Sequence, residues 1–475
     1  MNPAEFSQVA ARRKYWNDGS ATATSLPPHD DDQIAQPIIV PSTNGQLQSP
    51  YVRVCYGAPH LDKRVFACRR KQAVALLRST IVPRIIHAMQ LRRCAFLMFE
   101  PRQRTEFDLS LLANGSNGLR EVIELFAIAP HLPKAVVTTA SEIATLVSIS
   151  PSTWSDLAVL TAQYPRETIE LLVRSRLLVP DGSEEALRDQ QLRDNHWRNG
   201  SAAMHFASRW QGVDTEVSQQ QFVDINAGSL LDRLGPAPPP VRERGASDEL
   251  QSLPSTRPTA LDALLDNRVT CRNFDCSRSL TIDQFSAVLY RTFGARNVHD
   301  YAPGVQLLKK GVPSAGGLHP TEAYLLVQRV DGVVPGLYHY HPIDHALEPI
   351  RTMSIDETNA LAKTFVASQA YFVDAHVMVM PTSRFIRNFW KYRNHAKAYR
   401  ALILDVGHLS QTMYLAATEL GLAAFITAAV NEIDIENAFG LDPLEEGPLA
   451  VCGFGIRGLE RNEIEFDPLN AVWPE

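Results

Sequence analysis

The sequence predicts an α+β fold, with a mixed N-terminal region ahead of a better-defined C-terminal domain. Two observations carry this. Capped helical stripes are interleaved with short alternating or wholly apolar segments, and the turns between those segments suit antiparallel hairpins. The run Gly235-Pro236-Ala237-Pro238-Pro239-Pro240, with the charged, Ser- and Pro-containing stretch after it to Pro258, cannot continue a helix or a central strand. The chain is therefore divided into a flexible N-terminus (1–34), an N-terminal region (35–234), a Pro-rich linker (235–258) and a C-terminal domain (259–475). With 475 residues, 45% of them hydrophobic and 21% charged, the chain can bury more than one core.

In the N-terminal region, Ser141 precedes Glu142-Ile143-Ala144-Thr145-Leu146, a first short helix. Pro151 and Ser152 can start a second, containing Trp154, Leu157 and Leu160. Pro165 opens a third with Ile169, Leu172 and Val173 on one stripe. Leu177-Leu178-Val179 then reads as a strand, closed by Pro180-Asp181-Gly182. Three short helices and a strand over about 141–182 fit a winged-helix-like unit, an arrangement that binds either DNA or peptides.

In the C-terminal domain, Thr281 with Gln284 forms a capping box before Phe285, Val288 and Leu289, and Gly294 suits the helix end. Strands are expected at Glu322–Val327, Leu337–His341, Ala346–Glu348 and Val377–Met380, with a last one at Leu449–Cys452 that Gly453-Phe454-Gly455 ends. A long helix from about Ala398 to Glu419 carries Leu402, Val406, Leu409, Met413 and Ala417 on one stripe.

The net charge of −6 argues against strong nucleic-acid binding. No stretch reaches the roughly 18 uninterrupted apolar residues of a membrane helix, and the polar segment Met1–Asp32 lacks the apolar run of a secretory signal. The six cysteines, Cys55, Cys68, Cys94, Cys271, Cys276 and Cys452, form no C-x-x-C pair, so neither a zinc site nor a disulfide framework is suggested and a reducing cytoplasm fits best. Residues 53–104 are rich in Lys and Arg (Lys63, Arg64, Arg69, Arg70, Lys71, Arg92, Arg93), which suits either an anionic partner or a solvated face balanced from elsewhere in the chain.

Three stretches have more chemical texture than packing requires. In Asn267-Arg268-Val269-Thr270-Cys271-Arg272, two guanidiniums bracket a hydroxyl, a set that suits a phosphate but is also common on solvated faces. In Pro313-Ser314-Ala315-Gly316-Gly317-Leu318-His319-Pro320, small residues allow backbone to approach a flat ligand, or simply make a tight connection. The third stretch holds Lys391-Tyr392, Tyr399-Arg400, Asp405, Gly407, His408 and Gln411. Adjacent Lys and Tyr can act as acid/base groups or decorate a surface. Asp405, His408 and Gln411 share a helix face, and a buried, hydrogen-bonded histidine is the other reading of His408.

In this order and spacing, the three stretches resemble the SagB/ThcOx-type dehydrogenases of the FMN-dependent, nitroreductase-like superfamily. The resemblance covers about 262–460 and includes Gly336-Leu337-Tyr338-His339-Tyr340 and Gly421-Leu422. It implies an α+β homodimer with FMN held between subunits. It further implies that Arg268, Thr270 and Arg272 bind the FMN phosphate and ribityl chain, that Ser314, Gly316 and Gly317 lie beside the isoalloxazine, and that His319, Arg400 and His408 belong to the cofactor site. Ala428 and Ala429 would face flavin N5 and O4, where the superfamily often has glycine, and Arg457 is a further phosphate candidate. Lys391 and Tyr392 match the pair assigned to proton abstraction in azoline-oxidising members. The implied activity is FMN-dependent dehydrogenation of a ribosomally made precursor peptide, azoline to azole, with the N-terminal half recruiting the peptide or a partner cyclase. Two other readings stay open: an NAD(P)H-dependent flavin reductase of nitro, quinone or dehydroamino-acid groups, and a flavin-free scaffold in a peptide-modification complex.

Overall fold

The computed structural model describes residues 89–216, 231–232, 234–242, 244 and 250–474, all within one unit, Gln72–Glu475. The expected flexible N-terminus, Cys55, Cys68 and the basic residues Lys63 to Lys71 lie outside the described residues.

The first part runs β1 (Gln90–Arg93), β2 (Met98–Phe107), α1 (Leu109–Ala113), β3 (Leu119–Ile128), β4 (Val136–Thr138), α2 (Ala140–Ser148), β5 (Ser155–Asp156), α3 (Leu157–Gln163), α4 (Arg166–Arg174), β6 (Leu178–Pro180), α5 (Glu184–Asp194) and α6 (Asn199–Ser208). Helices α2, α3 and α4 occur with the small sheet β5-β1-β6 in this part of the chain. Its core is Leu91, Leu146, Leu160, Ile169, Leu172 and Leu178.

Three details differ from the sequence expectation. The central strand of the small sheet is β1, which lies some fifty residues before the 141–182 span and was not expected to belong to it. Helix α2 is capped by Thr139, not Ser141, because Thr139 and Glu142 exchange the two bonds of a capping box. Helix α3 begins at Leu157 rather than Pro151, since Ser150 Oγ accepts the amides of Ser152 and Thr153 and Ser155 and Asp156 pair with β1. Arg92, from the basic stretch, is neither solvated nor free for a partner. It is buried in an ion pair with Asp189 at 2.5 Å, and its guanidinium sits 4.9 Å over the Trp154 ring.

The second part runs α7 (Ala260–Asp266), α8 (Ile282–Thr292), β7 (Ala295–Ala302), β8 (Val305–Lys310), β9 (Thr321–Val327), β10 (Gly336–His341), β11 (Ala346–Thr352), α9 (Ile355–Phe365), α10 (Ala370–Val373), β12 (Val377–Arg384), α11 (Phe385–Phe389), α12 (Ala398–Glu419), β13 (Ala423–Thr427), α13 (Glu432–Phe439), β14 (Glu446–Pro448) and β15 (Val451–Gly455). The expected capping box at Thr281/Gln284 and the bounds of the long helix α12 are as the pattern predicts. An antiparallel seven-stranded sheet has the order β11-β10-β9-β12-β15-β13, with β14 paired to β12. Alternate residues on β9 and β12 face opposite layers. Leu325 and Val379 pack under Phe285 and Leu289 of α8 and Leu409 and Met413 of α12, whereas Leu326 and Met378 pack against Phe365 of α9 and Phe439 of α13.

The last strand occupies 451–455, not the expected 449–452. Gly453 and Gly455 lie inside the strand because neighbours fill their missing side-chain space: a Cβ on Gly453 would meet the Phe425 ring at 2.2 Å, and one on Gly455 would meet His376 Nδ1 at 2.4 Å.

The two parts share a third core around Trp197, which packs among Phe385, Phe389, Tyr399 and Leu402. Arg188 adds an ion pair to Asp442 at 2.7 Å. Beside Trp197, the buried His205 shares a 2.9 Å hydrogen bond with the Tyr399 hydroxyl. Burial, then the nearby Arg209, pushes the His205 imidazole down to about 3. The unfolded chain therefore binds a proton that the folded chain refuses, so this group's contribution is intact above about pH 6.5 and lost as pH falls toward 3. Buried Glu436, paired with Arg209, is pushed up to about 7, so its contribution runs the other way and is lost as pH rises from 4.5 through 7. The two effects oppose each other in the wild type. The stability difference between wild type and His205→Phe is expected to shift against the wild type by about 2 kcal/mol from pH 7 to pH 5, as read by urea unfolding at both values.

Candidate functional site

The Pro313–Pro320 loop follows β8 and leads into β9, and α12 holds it from below. Asp405 is the anchor: Ser314 Oγ donates to its Oδ2 at 2.5 Å and the Ala315 amide to its Oδ1 at 3.1 Å. Ser314 Oγ in turn accepts the His319 amide at 3.0 Å. Burial pushes the Asp405 carboxyl above the usual range, opposed by the Ser314 and Ala315 bonds. Removing this acceptor in Asp405→Ala leaves two donors unanswered and is expected to cost about 1–3 kcal/mol, measured by urea unfolding; Asp405→Asn should recover part of it.

With the loop pinned, Gly316 and Gly317 adopt left-handed φ values of +63° and +69°. A Cβ on Gly316 would lie 2.7 Å from Lys391 Nζ and 2.7 Å from the Tyr392 hydroxyl. The ammonium and the phenol thus converge on the bare Cα of Gly316, an approach only glycine permits. Lys391 Nζ is also 5.6 Å from the centre of the Tyr392 ring. The pair sits just past α11, where the Lys391 and Tyr392 amides both bond the Asn388 carbonyl. Lys391 and Trp390 are both exposed, as their inward neighbours Asn388 and Phe389 take the buried positions.

Behind the loop, a small cavity lies between Lys310, Ser314, His319, Thr321 and Asp405. Burial pushes the Lys310 ammonium down to about 8. Burial and the neighbouring Lys310 push His319 down to about 4, so at neutral pH its imidazole is an uncharged hydrogen-bonding group.

The segment carrying the expected phosphate ligands forms a second group. Thr270 bridges in parallel to Ala424 at the start of β13, and its hydroxyl shares a 2.9 Å bond with Tyr414 on α12. Arg268 lies with its guanidinium 5.4 Å from the Tyr414 ring centre and makes no ion pair among the described residues. Tyr414 is about two and a half helical turns beyond Asp405, on the opposite side of α12, so within one chain this group is separate from the Lys391–Gly316 cluster. Arg272 donates to the Ile464 carbonyl at 2.7 Å, while Arg457 is paired with the buried Glu465 and lies over Trp473. The guanidinium of Arg457 is committed to that carboxylate. Glu465 also accepts the Arg272 and Asn273 amides, which makes it the anchor of the C-terminal tail; no motif in the sequence marked it.

Ala428 and Ala429 follow β13 in a turn braced by Gln369, whose amide donates to the Ala429 carbonyl at 2.7 Å. Arg400 and His408 are exposed on α12, in a stripe with Ile403, Leu404, Gly407 and Gln411. The alternative of a buried histidine at position 408 therefore does not hold: three residues on from Asp405, it falls at the edge of the face that meets the loop.

Residues 265–456 match the family model described as the nitroreductase family. The C-terminal domain is nitroreductase-like. Relatives of this nitroreductase-like domain include MJ1384 of Methanocaldococcus jannaschii, a nitroreductase by name, 28% identical over 44% of this chain and 98% of its own length. The trifolitoxin-processing protein TfxB of Rhizobium leguminosarum bv. trifolii is 31% identical over 36% of this chain and 46% of its own length. The microcin B17-processing protein McbC of Escherichia coli is 26% identical over 38% of this chain and 65% of its own length. The expected likeness to nitroreductase-like proteins of peptide maturation is thus met, by matches that span about half of TfxB and two thirds of McbC. No helix among the described residues is long and apolar enough to cross a membrane, and no cluster of His, Cys, Asp or Glu among them could hold a metal. Cys94, Cys271, Cys276 and Cys452 are free thiols.

Proposed function

We propose that this chain is an FMN-dependent dehydrogenase of a ribosomally made, modified peptide, converting an azoline ring to an azole. The observation that carries the reading is the convergence of Lys391 Nζ and the Tyr392 hydroxyl on the Cα of Gly316. A flat ring stacked beside a loop with no side chain would meet an acid/base pair at its edge. The residues present fit FMN: a loop of two left-handed glycines with open space at Gly317, and Arg268 free of any ion pair among the described residues for a phosphate. Arg268, Thr270 and Arg272 would hold the phosphate and ribityl end, and Ser314, Gly316 and Gly317 the ring side, with the Ala428 and Ala429 backbone beyond. Arg457 is a weaker candidate because Glu465 already occupies it.

Bound FMN would supply the acceptor for a hydride equivalent. The chain's own work is to hold the ring carbon in place and take the proton from the neighbouring carbon, with Lys391 as base and Tyr392 as its hydrogen-bonding partner. The separation of the two residue groups within one chain supports a homodimer in which each site draws on both subunits. The exposed Ile403 and Leu404 on α12 suit a face that a second copy covers. The N-terminal half would recruit the precursor peptide or a cyclase, a role consistent with the peptide-processing names of TfxB and McbC.

The test is incubation of the full chain, FMN and oxygen with a synthetic peptide bearing one thiazoline. The expected product has lost two hydrogens by mass. An unchanged peptide, together with rapid NAD(P)H oxidation in the presence of a nitroarene or quinone, would assign the chain to the reductases instead.

A further inference from the structure

The short segment that carries Lys391 and Tyr392 has two sides, and the N-terminal part of the chain makes one of them. Helix α11 turns Phe385 and Phe389 onto Trp197, with ring centres 4.6 and 4.8 Å apart. Trp197 is 2% exposed, and its indole N–H donates to the Leu444 carbonyl at 3.3 Å. Immediately before it, the His196 carbonyl accepts the amide of Asn394, two residues past Tyr392, at 3.1 Å. Immediately after it, Arg198 donates to the Asn394 carbonyl at 3.4 Å. Both residues of this clamp sit at left-handed φ, His196 at +58° and Asn394 at +51°. Such backbone persists only where its surroundings hold it. On the far side of the segment, His205 of α6 is bonded to Tyr399 at the start of α12, and the ring centre of Tyr399 lies 5.9 Å from that of Trp197. The stretch 385–399 is thus held at its start, middle and end by residues 196–205, while its outer edge presents Lys391 and Tyr392 to Gly316.

We infer that residues 196–205 are a positioning element for the acid/base pair, so that the N-terminal, peptide-recruiting part of the chain sets the seating of Lys391 and Tyr392 against the Gly316 loop. Trp197, His196 and His205 are positioning residues. They act through α11 and the Asn394 turn, and none of them lines the site. The physical route is one packed aromatic cluster, one backbone hydrogen bond from Asn394 to His196 and one hydrogen bond from the Arg198 side chain to the Asn394 carbonyl. A change in how α5 and α6 dock therefore moves the pair, and a partner or precursor peptide that shifts those helices changes turnover.

The kinetic part rests on the proposed dehydrogenase reading, whereas the structural part does not, so the two can fail separately. The experiment uses the full chain with FMN and two variants, Trp197→Ala and Tyr399→Phe. Tyr399→Phe loses a single oxygen and tests the link where the larger cavity prevents folding. Hydrogen–deuterium exchange by mass spectrometry is followed in peptides covering 385–398, with 321–327 and the middle of α12 as internal references. Exchange in 385–398 should quicken in both variants, by about tenfold or more in Trp197→Ala, with the references unchanged. With the thiazoline peptide, kcat should fall toward the about 100-fold loss that a 1 Å misplacement can cause, while KM and bound FMN stay near the wild-type values. A purely structural role would lower the unfolding midpoint and leave kcat per folded protein unchanged. Unaltered exchange in 385–398 in every variant that folds, or a kcat that does not move in those variants, overturns the inference. A wild type that fails to oxidise the peptide, with the exchange effect intact, overturns the dehydrogenase reading alone.

Discussion

Lys391→Ala is expected to purify with its flavin and to lose turnover by ~10²- to 10⁴-fold, the range for removing a positioned general base. The reason is geometric. Lys391 is exposed and belongs to none of the buried cores, so truncating it removes an ammonium at the Gly316 edge without opening a cavity. Surface changes of that kind leave stability within about 0.5 kcal/mol. Flavin absorbance and the unfolding midpoint should therefore match the wild type, and the loss should fall on kcat. Undiminished turnover in this variant would remove Lys391 from the mechanism. Tyr392 is half-buried against the Trp197 core, so Tyr392→Phe is the gentler companion.

A second large effect is expected at Gly316, and its neighbour provides the control. Both glycines lie at positive φ, so Gly316→Ala and Gly317→Ala each carry the roughly 1–2 kcal/mol cost of a side chain in left-handed backbone. Only at Gly316 does the new Cβ meet the pair, at 2.7 Å from each of the two polar atoms; at Gly317 it enters open space. The two variants should be destabilised alike, as measured by urea unfolding. Gly316→Ala should lose turnover by ~10²-fold, the scale of a 1 Å displacement, and Gly317→Ala far less. Equal turnover in the two variants would mean that the contact with Lys391 and Tyr392 has no catalytic consequence.

Much of the C-terminal domain was legible because its signals are local. The capping box at Thr281/Gln284 fixes one end of α8, and the apolar stripe from Leu402 to Ala417 spans α12 to its observed bounds. The alternation in 322–327 and the apolar run 377–380 mark the two central strands. What failed depended on partners distant in sequence. Gly453 and Gly455 look like strand breakers until Phe425 and His376 are seen to occupy their space. Strand β1 shows nothing in its own four residues that predicts its place between β5 and β6. The β7–β8 hairpin went unread, for β7 is polar and exposed along almost its whole length and neither strand shows a buried alternation.

The candidate site divides in the same way. Ser314, Gly316, Lys391 and Tyr392 were marked by motif, and they meet in space. The residues that hold them there were not read in that role, although Asp405 stood in the third stretch. Asp405 pins the loop, and Trp197 packs behind the pair from nearly two hundred residues away. A lone Trp in the connection between α5 and α6 carries no sign of what it will pack against. Arg457 illustrates the opposite error: its charge and position suit a phosphate, but Glu465, in an irregular tail with no recognisable pattern, is bonded to it.

The central claim is that this nitroreductase-like domain takes electrons from a cyclised peptide. Anaerobic mixing of the FMN-loaded full chain with the thiazoline peptide, followed by visible absorbance, tests it most directly. The account predicts that the oxidised flavin band bleaches on mixing with peptide and that Lys391→Ala, equally loaded, stays yellow. A band that persists with peptide yet bleaches at once with NAD(P)H would contradict it.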